Sequence, residues 1–490
     1  MIIEHRFQWN LQPTAPVVAA AEKGKAAYNR SLEYITLENN QRPEAPGKLG
    51  GELSLASFNV LNYFTDLGAD EAKCKFYKDR EGNGVTANNC KVRGAYSAAA
   101  FERQEGKIVA AINALDASVL GLEEIENSAG FGHDRDASLQ QLVTALNKDA
   151  GFAKWAAAPS PKVTPKNEDV IRLAFIYQPA LLELAGTSQI LDNDWFTKTA
   201  RQPLAQKFRV KGAAEGNKEF VVIVNHLKSK GSLSKKIPQD TDEYQGNNNK
   251  LRTEQVKALT AWAAEKFADD AVFIIGDLNS YSQEDSVIEL EKAGYTNLAA
   301  KFGPLAPSYQ FDGLVGSLDH ALANAKAAAL TTGAQVWGVN AMEPIAFEYS
   351  RYNYNISYEQ LFDNTAFRSS DHDPIKVGFK FSSADLKPDM PTPDVPGADK
   401  PDMPTPDVPG ADKPDMPKPG SDPVPNIPAN PPTPTLNSDT QRDENAAKPN
   451  SGSVNKSRLA QTGAGVLGMI FAAAMLGTAG IMLANRRREK

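Results

Sequence analysis

The hexapeptide Ser369–Pro374 reads Ser-Ser-Asp-His-Asp-Pro and places two carboxylates around one imidazole. The alternating run that follows, Ile375–Phe381, predicts a half-buried strand. Because proline pushes the residues before it toward extended geometry, we expect Asp371 and His372 at the mouth of that strand, on opposite sides. This arrangement suits metal binding with phosphate contact, and a plain turn is the alternative.

Polar side chains follow apolar strands at several other places in the chain. Asparagine, glutamate, histidine, lysine and aspartate each occur where a run of apolar residues stops. Open α/β sheets commonly place their functional sites at strand ends, so we expect these side chains to meet in one cleft. The residues are Asn59, Glu124, Asn225, His226, Lys228, Asp277, Asn279 and Asp319.

These residue types fit the hydrolysis of phosphodiesters. Carboxylates are the ligands that a hard divalent cation prefers, and such a cation neutralises phosphate charge. A further carboxylate can orient and deprotonate a water molecule. Imidazoles and amides can donate hydrogen bonds to phosphate oxygens as negative charge builds up on them.

The charge distribution excludes a strongly basic nucleic-acid-binding protein. The chain of 490 residues has a formal net charge of −7. Residues 385–450 contribute −6 and residues 451–490 contribute +5, which leaves −6 for residues 1–384. If this part acts on a polyanion, a bound cation or a local basic groove must offset the repulsion.

The chain has two cysteines, Cys74 and Cys90. In an exported protein, this pair predicts a single structural disulfide that closes a surface loop. Two free thiols are the alternative, because connectivity cannot be read from sequence.

Periodicity predicts alternating strands and helices from Leu53 onward. A fold with many strands and helices between them is expected to pack two sheets together with the helices outside, as an α/β sandwich. Strands are expected at 53–60, 119–122, 170–177, 219–225, 272–275, 328–338 and 374–381, and helices at 98–115, 138–147 and 251–267.

Composition divides the chain into four regions, of which residues 47–384 form the expected catalytic domain. Residues 1–46, with a strand-like segment at 31–38, are expected to be the remnant of an upstream domain and a linker. Residues 385–458 are rich in Pro and Asp, and a 13-residue repeat at 387–399 recurs at 400–412. This composition predicts an extended, disordered stalk.

Residues 459–490 end the chain with Leu-Ala-Gln-Thr-Gly, an apolar run and a basic tail. The run is long enough to span a bilayer, which takes about 20 residues, and the basic tail is expected to stay cytoplasmic. The pentapeptide resembles the LAxTG variant of the wall-sorting signal read by sortases in Gram-positive actinobacteria. That resemblance implies cleavage between Thr462 and Gly463 and attachment to peptidoglycan, and a simple membrane anchor is the alternative.

Sorting requires export, yet the first residues do not form a signal peptide, since no basic segment leads into an apolar one. We expect a truncated or misassigned start.

Six segments together, FNVLNYF, GLEEIEN, NHLKSKG, GDLNSY, SLDHALA and SSDHDP in this order, resemble the endonuclease/exonuclease/phosphatase superfamily. More narrowly, they are similar to the large extracellular nucleases of bacteria. The resemblance covers about Leu53 to Phe381. It implies a DNase I-like fold, a four-layer α/β sandwich of two packed mixed sheets flanked by helices.

The resemblance also implies a metal site. Glu124 is expected to bind the cation, Asp371 to join it directly or through water, and Asn59 to position the metal or the phosphate. The implied cofactor is Mg²⁺, with Mn²⁺ and Ca²⁺ as alternatives. Glu123 is the alternative to Glu124.

The implied catalytic roles fall to five residues. Asp277 orients or activates the attacking water, and Asn279 contacts the phosphate. His226 and His372 flank the scissile phosphate, and Asp319 pairs with His372.

Further residues near these motifs receive secondary roles. Asn225, Lys228 and Lys230 are expected to contact phosphate. Asp169 is a candidate to orient His226, and His320 is expected to pack or to form a hydrogen bond without a catalytic role.

The sequence thus predicts a secreted, wall-anchored, metal-dependent nuclease that hydrolyses extracellular DNA, or RNA as well. The expected partners are the nucleic acid, a sortase, peptidoglycan after sorting and the membrane before it. The alternatives are a phosphoesterase of the same fold that acts on a phospholipid or a nucleotide, and a non-catalytic surface adhesin.

Overall fold

The computed structural model of the protein describes residues 2–5, 9–12, 42–303, 306–353 and 362–381. The strand expected at 31–38, the stalk at 385–458 and the sorting signal with Thr462 and Gly463 lie outside these residues. Across the described ranges, no helix combines the length and the apolar character needed to cross a membrane.

The strands occur in the following order. They are β1 (Ile2–His5), β2 (Trp9–Gln12), β3 (Leu53–Tyr63), β4 (Lys75–Lys78), β5 (Gly84–Asn88), β6 (Val119–Glu126), β7 (Ala156–Ala157), β8 (Ile171–Tyr177), β9 (Leu182–Leu184), β10 (Gln189–Ile190), β11 (Leu204–Val210), β12 (Glu219–His226), β13 (Val272–Asp277), β14 (Thr296–Asn297), β15 (Tyr309–Phe311), β16 (Leu314–Gly316), β17 (Asp319–Ala323), β18 (Thr331–Val336) and β19 (Ile375–Phe379).

The α-helices are α1 (Ala98–Leu115), α2 (Ala137–Ala150), α3 (Asn249–Lys266), α4 (Asp285–Lys292), α5 (Leu298–Phe302) and α6 (Ala325–Leu330).

Two mixed sheets form the centre of the fold. The first has the order β18-β19-β3-β6-β8-β7, and the second has the order β10-β11-β12-β13-β17-β14 with β9 paired to β11. Within them, β3 runs parallel to β6 and β12 runs parallel to β13. Buried apolar side chains from both sheets make one core, among them Leu55, Val119, Phe175, Phe220, Val224, Phe273, Ile275, Val377 and Phe379.

The two sheets approach closely at Gly121 in β6. A Cβ atom on this residue would lie 2.8 Å from Ile275 Cδ1 and 3.0 Å from Val224 Cγ2, both in the opposite sheet. Protein interiors are close-packed, so a larger side chain here would push the sheets apart.

The helices cover the outer faces of the two sheets. Ile108 and Ile112 of α1 and Leu142 of α2 pack on the first sheet. Val256 of α3 and Val287 of α4 pack on the second sheet. The predicted fold class, a four-layer α/β sandwich of two mixed sheets flanked by helices, is confirmed.

The bounds predicted from sequence differ from the structure at two informative places. Strand β6 continues through Glu126, whereas the apolar run predicts an end at Leu122. The strand expected from residue 328 begins only at Thr331, because Ala325–Leu330 forms helix α6. The alanines favour a helix, and Asn324 Oδ1 caps it by accepting a hydrogen bond from Ala327 N at 3.0 Å.

The predicted disulfide is confirmed. Cys74 and Cys90 are bonded, and their Cα atoms lie 5.0 Å apart. The bond joins residues on either side of the hairpin formed by β4 and β5.

Candidate active site

The second sheet lines up three of the predicted catalytic residues. His226 at the end of β12 pairs with Asp277 at the end of β13, and Asp277 pairs in turn with Asp319 at the start of β17. All three side chains are buried. The strand register therefore places an imidazole and two carboxylates side by side at one edge of the sheet.

The first sheet brings its own residues to the same place through two irregularities. The register between β6 and β8 shifts between Leu122 and Ile125, and Glu124 within this bulge has a φ of 64°. The register between β3 and β6 shifts directly after Asn59. A bulge changes the direction of a side chain, and bulges are frequent beside active sites. As a result, Glu124 Oε1 lies 3.9 Å from His226 Nε2 of the opposite sheet.

Asp277 is the group on which most contacts converge. Its Oδ1 accepts a hydrogen bond from Asn279 N at 2.8 Å, and its Oδ2 accepts one from Asn279 Nδ2 at 3.2 Å. Asn59 Nδ2 donates to the same Oδ2 at 3.5 Å. His226 Nε2 lies 3.3 Å from this oxygen and His372 Nε2 lies 3.8 Å from it.

Gly276 makes the approach of β12 and β13 possible directly before Asp277. Its φ is 134°, a conformation that residues with a side chain rarely adopt. A Cβ atom at this position would lie 2.0 Å from the carbonyl oxygen of Asn225. The glycine of the Gly-Asp-Leu-Asn motif is therefore required by the backbone.

The predicted contact between Asp319 and His372 is present. His372 Nδ1 lies 2.8 Å from Asp319 Oδ2, and Ser308 Oγ donates to the same oxygen at 2.6 Å. The ring of Tyr309 packs on the imidazole with centroids 4.6 Å apart. Asp319 thus orients the ring of His372, whose Nε2 is directed toward Asp277.

The two histidines have opposite charge states because their surroundings differ. Burial lowers the pKa of His226 well below its usual value, and the positive charge of Arg201 lowers it further. Burial opposes the charged form of His372 as well, but Asp319, Asp277 and Asp371 outweigh it and raise the pKa of His372 well above its usual value. At neutral pH, His226 is neutral and His372 is an imidazolium, a division that suits acid–base catalysis.

Asp277 can accept a proton near neutral pH. The pKa of this carboxyl is raised to about 7, mainly by burial. The positive charge of His372 lowers this pKa, and the negative charge of Asp319 raises it. A general base works best when its pKa lies near the operating pH.

The structure separates Glu124 from its neighbour Glu123. Glu123 is fully buried, accepts a hydrogen bond from Ser57 Oγ at 2.5 Å, and has a pKa raised well above its usual value by burial. Glu124 instead lies beside His226 with a partly exposed side chain. Of the two, Glu124 is the carboxylate at the cleft between the sheets.

The three predicted metal ligands fit a hard divalent cation. Burial raises the pKa of Glu124, and the nearby carboxylate of Asp371 raises it further. Glu124 and Asp371 bring two negative charges together, and oxygen ligands of this kind suit Mg²⁺, Mn²⁺ or Ca²⁺. Asn59 can supply an amide oxygen, Oδ1, which accepts one hydrogen bond from Leu61 N at 3.1 Å.

A second group in the same cleft has the distances of a metal site. Ligand atoms of Asp277, Asp319 and His372 lie within 4.8 Å of one another. In this group, however, His372 Nδ1 and Ser308 Oγ already form hydrogen bonds with Asp319 Oδ2. The trio therefore fits a hydrogen-bonded relay better than a cation site.

Arg201 is a site residue that the sequence analysis missed. Its Nη2 donates to the carbonyl oxygen of Leu227 at 3.2 Å, and its charge interacts with Glu124 and Asp277. It precedes β11 and belongs to none of the six motifs, so no motif identifies it. The negative charge of residues 1–384 indicates that a basic group is needed near the site, but it does not indicate which residue.

The structure shows hydrogen bonds for three of the residues that were given secondary roles. Asn225 Nδ2 donates to the carbonyl oxygens of Ile223 and Ile275, so this amide holds β12 to β13, and its phosphate contact stays a prediction. The assignment of Lys230 is wrong, because its Nζ is buried and bound to Glu284 Oε1 at 2.6 Å. His320 forms the expected non-catalytic contact, with Nε2 2.8 Å from the carbonyl oxygen of Ser280.

Asp169 does not orient His226, and that assignment is also wrong. Its carboxylate accepts hydrogen bonds from Arg93, at 2.7 Å from Nη2 and 3.3 Å from Nη1. Moreover, Nδ1 of His226 is buried without a hydrogen-bond partner among the described residues.

Lys228 gives a pH prediction. Burial lowers the pKa of this lysine to about 8, and the charge of Arg201 contributes. Lys228 is cationic below pH 8 and loses its charge above it, so KM for a phosphodiester is expected to rise between pH 7.5 and 9.5. Lys228→Arg keeps its charge throughout this range. Its KM should stay flat, and parallel pH profiles of the two proteins would contradict a phosphate contact by Lys228.

A scan against protein-family models gives no match, and no curated protein matches the sequence.

Several solved structures are similar to this chain. An endonuclease/exonuclease/phosphatase family protein from Bacteroides thetaiotaomicron is 14% identical with a TM-score of 0.40, over 66% of this chain and 96% of that one. A mannosyl-6-phosphatase from the same species is 14% identical with a TM-score of 0.41, over 67% and 100%. Danio rerio TDP2 with a single-strand DNA product is 14% identical with a TM-score of 0.37, over 66% and 97%.

Identities and TM-scores this low transfer no activity to the chain, so a functional proposal has to rest on the site itself.

Proposed function

We propose that the protein is a metal-dependent phosphodiesterase that hydrolyses DNA by attack of an activated water on phosphorus. One observation supports this most strongly. Side chains from both sheets and from the loop before β19 meet at one place, where carboxylate oxygens lie within 4 Å of two histidines whose pKa values are shifted in opposite directions. The residues are Asn59, Glu124, His226, Asp277, Asn279, Asp319 and His372.

The side chains divide the work by their charge. Asp277 accepts the proton of the attacking water, and His372, held by Asp319, donates a proton to the leaving oxygen. Neutral His226 and the positive charge of Arg201 stabilise the non-bridging oxygens. A divalent cation held by Glu124 and Asp371 would supply Lewis-acid stabilisation of the phosphate charge.

The metal assignment gives a direct prediction. Glu124→Gln removes one anionic ligand and is expected to raise the Mg²⁺ concentration for half-maximal activity at least about 10-fold, because even residues that only support metal ligands contribute about this much. Glu123→Gln is the matched control, since Glu123 already has a strongly raised pKa and binds Ser57. It should leave the Mg²⁺ requirement near that of the unmodified protein. Mg²⁺ titrations of DNA cleavage measure both, and a larger effect at Glu123 would contradict the assignment.

We propose DNA as the substrate because two basic side chains lie near the candidate site of an acidic protein. Arg201 and Lys228 lie within electrostatic range of the catalytic groups, and RNA carries the same phosphodiester. A phospholipid headgroup is the second candidate. It is favoured by the hairpin of β15 and β16, which follows Ser308 and exposes the apolar side chains Leu314 and Val315.

A substrate panel tests this proposal. The full chain with Mg²⁺ is incubated with double-stranded DNA, single-stranded DNA, RNA, phospholipid vesicles and mononucleotides. The rate at which the hydrolysis products of each substrate form is measured. We expect the DNA substrates to be cleaved fastest. If phospholipid or mononucleotide is hydrolysed while DNA stays intact, the substrate belongs to that class instead. If no substrate is hydrolysed, the result favours a non-catalytic adhesin.

We further propose that the protein is exported and anchored to the cell wall. The Cys74–Cys90 disulfide supports an oxidising compartment, and the motif at 459–463 supports sorting. If a sortase processes the chain, Thr462→Ala should move the protein from the wall fraction to the membrane fraction. Equal amounts of both proteins in the wall fraction would contradict anchoring.

A further inference from the structure

The loop closed by the disulfide is a basic surface segment of this acidic protein. Residues 73–93, called the disulfide loop here, carry six basic and two acidic side chains, a net charge of +4. Residues 1–384 as a whole carry −6. The basic side chains are exposed, and they are Lys73, Lys75, Lys78, Arg80, Lys91 and Arg93.

The end of the disulfide loop is firmly held. Cys90 is bonded to Cys74, and the next two residues donate backbone hydrogen bonds to the carboxylate of Glu71, from Lys91 N and Val92 N at 2.8 Å each. The side chain of Val92 is buried in a small apolar cluster. These contacts fix the backbone directly before Arg93.

The residue after Arg93 ties the disulfide loop to the strand that carries Asn59. Gly94 packs so tightly on β3 that a Cβ atom would lie 2.6 Å from the carbonyl oxygen of Asn62. Arg93 is therefore positioned by the same strand end that carries a predicted ligand of the metal.

The guanidinium of Arg93 is oriented but remains accessible. Asp169, before β8, accepts two hydrogen bonds from it, and the arginine side chain is 40% exposed. An arginine has five N–H donors, so this pair leaves donors for another anion. Guanidinium groups match the geometry of phosphate oxygens.

The side chain of Arg93 lies near the site because of the position of Asp169, its hydrogen-bond partner. Asp169 lies just before β8, whose first residues pair with the end of β6, the strand that carries Glu124. Arg93 also contributes to the low pKa of Lys228, after burial and Arg201. Arg93 thus lies near the candidate cleft but outside the set of catalytic groups.

We propose that Arg93 binds a phosphate of the substrate strand next to the one that is cleaved, and that the disulfide loop holds it there. The inference rests on the proposed function and deepens it. It makes the protein selective for a polymeric phosphodiester, whose neighbouring phosphates reach Arg93, over an ester with a single phosphate.

The test compares two substrates at several salt concentrations. We expect Arg93→Ala to raise KM for a DNA duplex about 10-fold and to reduce the slope of log KM against log salt by about 1, as the loss of one phosphate contact does. Its kcat/KM for bis(p-nitrophenyl) phosphate, which has one phosphate, should equal that of the unmodified protein. Equal KM values for DNA, or an equal loss on both substrates, would overturn the proposal.

Two control variants sharpen the comparison. Arg209→Ala breaks a similar pair, which Arg209 forms with Glu183 at 2.7 Å. Arg209 lies at the end of β11 away from His226, so this variant should keep the normal KM for both substrates. Arg93→Ala with Asp169→Asn has the net charge of the unmodified protein, and its KM for DNA should stay raised. If the double variant recovers the normal KM, repulsion by Asp169 explains the effect and the phosphate contact is overturned.

The result also separates this inference from the proposed function. If the unmodified protein cleaves DNA with Mg²⁺ and Arg93→Ala does so equally well, only the phosphate contact fails. If the unmodified protein cleaves no DNA under any of these conditions, the proposed function itself fails.

Discussion

Asp277→Asn is expected to lower kcat for DNA cleavage about 10³-fold, within the range that general-base groups contribute. The amide keeps the size of the carboxylate and can still accept the hydrogen bond from Asn279 N. It cannot accept a proton from water, and it removes the negative charge that faces His226 and His372. Single-turnover kinetics at saturating Mg²⁺ measure the chemical step, with KM expected to change little.

Asp270→Asn is the matched control for Asp277→Asn. Asp270 precedes the opposite end of β13 and pairs with Lys207 at 2.7 Å. Its substitution should leave kcat unchanged, and thermal melts of both variants check the fold. An Asp277→Asn protein that folds normally and cleaves DNA at the normal rate would exclude Asp277 as the base.

The second large effect concerns His372 and Asp319. We expect His372→Gln and Asp319→Asn each to lower kcat about 10²- to 10⁴-fold, because a positioned acid contributes this much and Asp319 orients that acid and stabilises its charge. Because the two side chains act as one unit, the double variant should be no slower than the slower single variant. The cycle of four proteins, assayed for kcat on the same DNA, measures this coupling.

Asp312→Asn is the control for this cycle. Asp312 lies seven residues before Asp319, in the exposed turn of the hairpin of β15 and β16, with a φ of 49° that asparagine tolerates well. Its kcat should be normal. Additive losses in the His372 and Asp319 double variant would show that the two residues act independently.

Much of the site could be predicted because the sequence marks strand ends clearly. His226, Asp277 and Asp319 each follow or open an apolar run, and strand register places them in one row. Apolar patterning and the Gly-Asp-Leu-Asn motif were sufficient for these residues. Their role in catalysis remains a prediction that the variants above test.

The missed residues depend on contacts that no local pattern shows. Arg201 reaches the site through the loop before β11, so its position follows from tertiary packing. Lys230 lies two residues from Lys228, yet it forms a buried ion pair with Glu284, which is 54 residues away in sequence. The choice between Glu123 and Glu124 depends on a bulge, which alternation alone cannot locate.

Digestion of plasmid DNA tests the central claim most directly. The full chain is incubated with Mg²⁺, with Mg²⁺ and excess EDTA, and with EDTA followed by fresh Mg²⁺, beside the Asp277→Asn variant. We expect cleavage with Mg²⁺, none with EDTA, recovery after Mg²⁺ is restored, and almost none with the variant. Equal cleavage in the presence of EDTA, or by the Asp277→Asn protein, would contradict metal-dependent hydrolysis at this cleft.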